Sequence, residues 1–226
     1  MCSLRHKFPR RILIDLRVSA GVGFVALASR RLFVAQVSRI RDRRYLPHWE
    51  VPKGVYFVTF RLADSLPEFV LQELRAKSPA GSPTKKIPEK LAKKFPAKEI
   101  EKMLDSGHGA THLARAEIAD LVEGALRAFD GVRYKLFAWC VMPNHVHVVF
   151  QPLGEWELAR ILHSWKSFTA HRVLRKFGIR GAFWQREYYD HLIRGGEEFS
   201  RAVEYVLENP RRAGREGWRW VGVAPS

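Results

Sequence analysis

From Val55 onward the apolar residues fall into two rhythms, and their alternation predicts a mixed fold. Val55-Tyr56-Phe57-Val58-Thr59-Phe60-Arg61-Leu62 is dense in β-branched and aromatic residues and predicts a strand. Asp64-Ser65-Leu66-Pro67-Glu68 offers a capping residue, an early proline and an early acid, which predicts a helix running to about Lys77. Pro79, Gly81, Pro83 and the lysines 85, 86, 90, 93, 94 and 98 then break the pattern and predict a looped insertion with some helix at its end. Helical spacing returns through Ile118, Leu121, Val122, Ala125 and Leu126, predicting a helix over 115–128. The apolar runs 134–141 and 145–151, parted by Met142-Pro143-Asn144, predict an antiparallel hairpin at the centre of a sheet. Leu158, Ile161, Leu162, Trp165, Phe168 and Val173 predict a helix over 155–176 with a basic outer face. A strand over 182–189 and a helix from near Glu197 to Pro210 complete the series.

The order β-α-(insert)-α-β-β-α-β-α predicts an α+β fold. Its expected form is ferredoxin-like, a split βαβ antiparallel sheet with helices on one face, plus a helical, lysine-rich insertion. Residues 43–215 form the expected domain, with the insertion at about 78–112. Residues 1–42 read as a basic, poorly ordered extension, and residues 216–226 as a basic aromatic tail.

Composition narrows the class. Of 226 residues, 46% are hydrophobic and 12% aromatic, enough for a core, which excludes a disordered chain. Two cysteines exclude a disulfide framework and point to a reducing, cytoplasmic setting. The net charge of +16 points to a polyanionic partner. Residues 1–44 hold 11 Lys and Arg against 2 Asp and Glu, so more than half of the surplus lies in these first 44 residues. The apolar stretch 18–28 follows arginines and imitates a signal peptide. It is far short of the ~20 residues that span a bilayer, so no membrane partner is expected.

The candidate chemistry sits in the hairpin. Residues i and i+2 of a strand share a face, so His145 and His147 point the same way and Val146 and Val148 the other. Two imidazoles on one rigid strand are either packed core histidines or a platform for a metal. Tyr205 and Asn209 stand at i and i+4 on the last predicted helix. They are either a packed tyrosine and a C-terminal cap, or a phenol and an amide oxygen that share a cation with the histidines. Such a cation polarises a phosphodiester, and a positioned phenol can attack it. The resulting tyrosine ester conserves the bond energy needed to rejoin a strand. Tyr188 and Tyr189 are rival phenols, and neither has an amide at i+4.

At this point the chain resembles a family. Met142-Pro143-Asn144-His145-Val146-His147 is similar to the His-hydrophobic-His (HUH) motif of single-tyrosine transposases of the insertion-sequence type. Residues 44–50 and 56–62, Trp184 to Arg194, and Glu204 to Pro210 resemble the further blocks of the REP-associated tyrosine transposases, in the same order. The resemblance covers roughly residues 43–215. The insertion and residues 1–42 have no matching counterpart.

The resemblance implies a metal-dependent single-stranded DNA endonuclease and strand transferase, cutting hairpin-forming DNA through a 5′-phosphotyrosine. It implies His145, His147 and Asn209 as ligands of a divalent metal, Mg2+ or Mn2+, and Tyr205 as nucleophile. The implied partners are single-stranded or hairpin DNA, from repetitive palindromic elements or element ends, and a second copy in a homodimer. The implied location is the cytoplasm, associated with the nucleoid. Lys166, His171, Arg172, Gln185, Arg186 and Arg194 are the candidate DNA contacts. Two other readings stand beside this one: a catalytically inactive, domesticated DNA-binding protein of the same fold, and a metal-dependent hydrolase that uses water. Mobility does not follow from cleavage.

Overall fold

The computed structural model describes residues 39–43, 46–65, 103–104 and 109–225, with side chains from Val51 onward. The extension up to residue 38, the predicted helix after Asp64 and most of the lysine-rich insertion lie outside the described residues. Strands β1 (Arg39–Arg43) and β2 (Leu46–Glu50) pair antiparallel as a small separate sheet.

The main sheet contains β3 (Val55–Arg61), β4 (Tyr134–Val141), β5 (His145–Pro152), β6 (Tyr189–Ile193) and β7 (Val221–Val223). Its order is β6-β3-β5-β4-β7, and every neighbour is antiparallel. Helices α1 (Ala116–Arg127), α2 (Leu158–Phe177) and α3 (Gly196–Arg212) pack on it. From β3 through β6 the described order is β-α-β-β-α-β, an antiparallel α+β fold as the pattern predicts.

Alternation along the strands builds two cores. Val146, Val148 and Phe150 of β5 join Tyr56, Val58 and Phe60 of β3 under α1 and α2. On α1 the buried Ile118, Ala119, Val122, Ala125 and Leu126 form one stripe. On α2, Leu158, Ile161, Leu162, Trp165, Thr169 and Val173 do the same, and Gly178 ends the helix in the left-handed conformation at φ 64°. The opposite face carries a smaller core of Phe57, Ala138, Cys140, Val149 and Ile193 against Val206 of α3. The first two helices therefore share one face and α3 covers the other, so the expected arrangement with helices on one face does not hold: the strands bury apolar residues on both sides, and α3 closes the second. A register shift between Leu136 and Ala138 in β4 moves Ala138 and Cys140 onto the α3 side while Leu136 and Trp139 stay in the larger core.

Three stretches depart from the sequence pattern. The strand expected over 182–189 forms only from Tyr189. Residues 183–188 are a strap over the end of β3, tied by the Leu62–Trp184 bridge and by the Gln185 N–H donating to Arg61 O at 2.9 Å. The expected tail instead supplies β7, and Trp220 is 92% shielded, its Nε1–H donating to Asp120 Oδ1 at 2.8 Å. A side chain at Gly222 would strike the Trp139 ring at 2.9 Å, so glycine permits this close strand. Phe168, expected in the core, is 44% exposed with Arg172 stacked on its ring.

Candidate active site

The tight Met142–Asn144 turn starts β5 at His145 and is held from outside. Asn144 O accepts from Leu62 N–H at 2.8 Å, and Pro143 O accepts from Leu113 N–H at 3.0 Å. His145 and His147 are both buried on the face covered by α3, with ring centroids 4.6 Å apart. Their Nε2 atoms lie 2.9 Å apart.

The outer nitrogens have partners that sequence reading missed. His145 Nδ1 lies 2.7 Å from Asn144 Oδ1, and the Asn144 amide is oriented by Nδ2–H donating to Leu104 O at 2.9 Å. An amide oxygen only accepts, so His145 carries its proton on Nδ1 and leaves Nε2 as a lone pair. His147 Nδ1 meets Thr59 Oγ1 at 2.7 Å. A hydroxyl both donates and accepts, so Thr59 accommodates either tautomer of His147. The direct pairing of Thr59 with His147 in the β3–β5 register is what brings them together.

Burial holds both imidazoles neutral. It pushes His145 well below its ordinary range, with neighbouring His147 adding to the effect, and lowers His147 to about 3. The unfolded chain binds protons near pH 6.5 that the folded chain does not. Stability from the pair is thus complete above about pH 6.5 and is lost as pH falls towards 3. The melting temperature of chelator-treated protein is expected to drop between pH 7 and pH 5. A His145→Gln/His147→Gln variant should be flatter over this interval; an equally steep profile would place the acid sensitivity elsewhere.

Helix α3 brings the second pair to the same face. The Tyr205 ring stands edge-on to His147, centroids 5.3 Å apart, and edge-on to Phe57 at 5.6 Å. The Arg212 guanidinium lies 5.6 Å from the same ring. Asn209, one turn beyond Tyr205, is buried, and its Oδ1 makes no hydrogen bond among the described residues. Such an orphan amide oxygen costs about 1–3 kcal/mol. Pro210 does not end the helix. The chain continues to Arg212, and its end is closed by Ala213 and Arg215 N–H groups donating to the carbonyls of Asn209 and Pro210.

Among the described residues no group of three or more His, Cys, Asp or Glu is placed to hold a metal. The candidate donors are two neutral imidazoles on β5 and, on α3, a buried amide oxygen without a hydrogen bond among the described residues, types that a divalent ion with mixed N and O ligands accepts.

The rival phenols separate as adjacent strand residues should. Tyr188 is buried with the larger core, and Tyr189 packs by Phe57 on the histidine face at 6.4 Å. The candidate DNA contacts divide too. His171, Arg172, Arg186 and Arg194 are exposed, and Gln185 is half-buried. Lys166, expected on the open face of its helix, is half-buried, and its ammonium donates to Gln185 O at 2.7 Å and Arg186 O at 2.8 Å. It fastens the strap to α2.

The site thus sets a His-x-His strand of an antiparallel sheet against a Tyr-x-x-x-Asn helix. The family model described as "Transposase IS200 like" matches residues 112–209. The chain is also similar to REP-associated tyrosine transposases. It is 28% identical over 91 residues to a protein given that name in Haemophilus influenzae, covering 36% of this chain and 52% of the relative. It is 26% identical over 82 residues to the REP-associated tyrosine transposase of Escherichia coli K12, covering 36% and 47%. The matched stretch thus spans about half the length of these curated relatives. A solved structure of a REP-associated tyrosine transposase bound to a REP hairpin aligns with TM-score 0.46 at 18% identity, over 77% of this chain and 74% of the other.

Proposed function

We propose that this protein is a metal-dependent single-stranded DNA endonuclease and strand transferase acting on hairpin-forming DNA, with Tyr205 as nucleophile. The observation that carries the reading is the contact of the Tyr205 ring with His147 on one sheet face, with Asn209 one helical turn away and its amide oxygen buried without a partner. His145, His147 and Asn209 are the proposed ligands of Mg2+ or Mn2+. A bound divalent ion supplies Lewis-acid polarisation of the phosphodiester and neutralises charge developing in the transition state.

The protein's own groups do the rest. Tyr205 Oη loses its proton to solvent and attacks phosphorus. The bond from phosphorus to the 3′ oxygen breaks, and that oxygen takes a proton from water. The products are a 5′-phosphotyrosine ester and a strand with a free 3′ hydroxyl. The ester is as reactive as the bond it replaced, so a second 3′ hydroxyl reverses the step without ATP. The Arg212 guanidinium lies over the phenol ring, 5.6 Å from its centroid. The proposed working assembly is a homodimer on single-stranded hairpin DNA.

The test is a labelled hairpin oligonucleotide incubated with the full chain and Mn2+, resolved on a denaturing gel. The expected result is a metal-dependent covalent adduct whose DNA-bearing peptide contains Tyr205. Cleavage without an adduct would make the enzyme a hydrolase, and salt-sensitive binding without cleavage would make it a DNA-binding protein only.

A further inference from the structure

Resting on that reading, we propose that Arg61 is a phosphate-binding residue that grips the DNA backbone beside the histidine pair. Arg61 is the last residue of β3 and stands directly opposite His145 in the register. Directly opposed residues share a face with Cβ atoms about 4.5–5.5 Å apart. The Cβ of Arg61 thus leaves the sheet on the face that carries His145 and His147, at the end where the turn opens, and the guanidinium runs beyond the strand end to Ser65.

Its surroundings are those of a cation short of an anion. The guanidinium is half-buried, and among the described residues it meets no carboxylate. Nη1–H donates to the buried Ser65 Oγ at 3.2 Å, which leaves most of its five donors to other partners. Burial lowers its pKa to about 10. The Lys166 ammonium is near enough to feel it. Burial lowers Lys166 to about 8, nearby Glu187 opposes that fall, and Arg61 adds to it.

The same strap joins the two cations. Arg61 O accepts from Gln185 N–H, and Lys166 donates to Gln185 O and Arg186 O. Lys166 is spent on holding that strap, whereas Arg61 is not spent. Glu187 offsets the charge of Lys166, whereas Arg61 meets no carboxylate among the described residues, and a half-buried cation without an anion is unfavourable until one joins it. A planar fork with free donors suits the non-bridging oxygens of a phosphodiester. The register with His145 puts this grip at the end of the sheet where the histidine pair begins.

The test uses the Tyr205→Phe protein, which binds without cutting. Anisotropy of a single-stranded oligonucleotide is followed from 50 to 300 mM salt, with Mn2+ and again with chelator. Arg61→Gln is expected to weaken binding on the order of 10-fold and to lower the log–log salt slope by about 0.7, one phosphate contact on a single strand. Arg61→Lys should restore the slope. Mn2+ affinity measured by calorimetry should be unchanged. An unaltered slope, or a loss of Mn2+ affinity together with binding, would overturn the assignment and leave Arg61 as a strand-end support.

A second measurement needs no variant. The oligonucleotide should shield Arg61 of the native protein from an arginine-directed dicarbonyl, read by mass spectrometry; equal labelling with and without DNA overturns the proposal. If the native protein forms no Tyr205 adduct yet Arg61 passes both measurements, the strand-transfer chemistry fails while the phosphate contact stands.

Discussion

Replacing Tyr205 with phenylalanine is expected to abolish the covalent protein–DNA product and leave the fold intact. The substitution removes one oxygen and keeps the ring. The edge-on packing against His147 and Phe57 therefore survives, and the stability change should stay within about 1 kcal/mol, the scale of one hydrogen bond. Activity should fall by about three orders of magnitude or more, the scale on which loss of a covalent nucleophile acts. Tyr189→Phe is the matched comparison, because that phenol lies on the same face against Phe57. It should keep the adduct. An adduct that persists in Tyr205→Phe and vanishes in Tyr189→Phe would transfer the nucleophile to the edge strand.

Asn209→Leu should separate a metal ligand from a helix cap. In chelator-treated protein the leucine removes a buried amide oxygen that has no partner among the described residues. The melting temperature should hold or rise, since deleting an unsatisfied polar group relieves a penalty of about 1–3 kcal/mol. Adding Mn2+ at 100 times its dissociation constant should then stabilise the parent by about 2.7 kcal/mol. For a chain of this size that is a rise of roughly 5–11 °C. The variant should show little of it. A lower metal-free melting temperature with the full Mn2+ response would make Asn209 a structural cap and remove it from the ligand set.

What could be read ahead of the structure follows from the range of the forces involved. The His145–His147 pair was legible because a strand's two-residue period is local and Val146, Val148 and Phe150 mark the buried side. Tyr205 and Asn209 were legible because a helix sets i and i+4 on one face. Thr59, Asn144 and Arg61 were not, since their relation to the histidines depends on the β3–β5 register and on Leu104, far away in the chain. Strand β7 was hidden because three residues carry too little pattern, and its partner β4 lies some eighty residues earlier. Lys166 misled because its helical position says nothing of the strap that its ammonium fastens. The expectation of helices on one face failed at α3 for a related reason: element order alone does not say which side of a sheet a final helix takes.

Tyr205 and Asn209 travel on one rigid rod, and that rod is pinned at its start by Glu198, whose oxygens accept from His191 Nε2–H and Arg194 N–H at 2.7 and 2.6 Å. A tilt or slide of this rod displaces the phenol and the amide in concert, so neither can be tuned alone by moving backbone. Engineering that aims to alter one of them must work through side-chain identity, because any lengthening of the short Arg194–Gly195 link would misalign both at once.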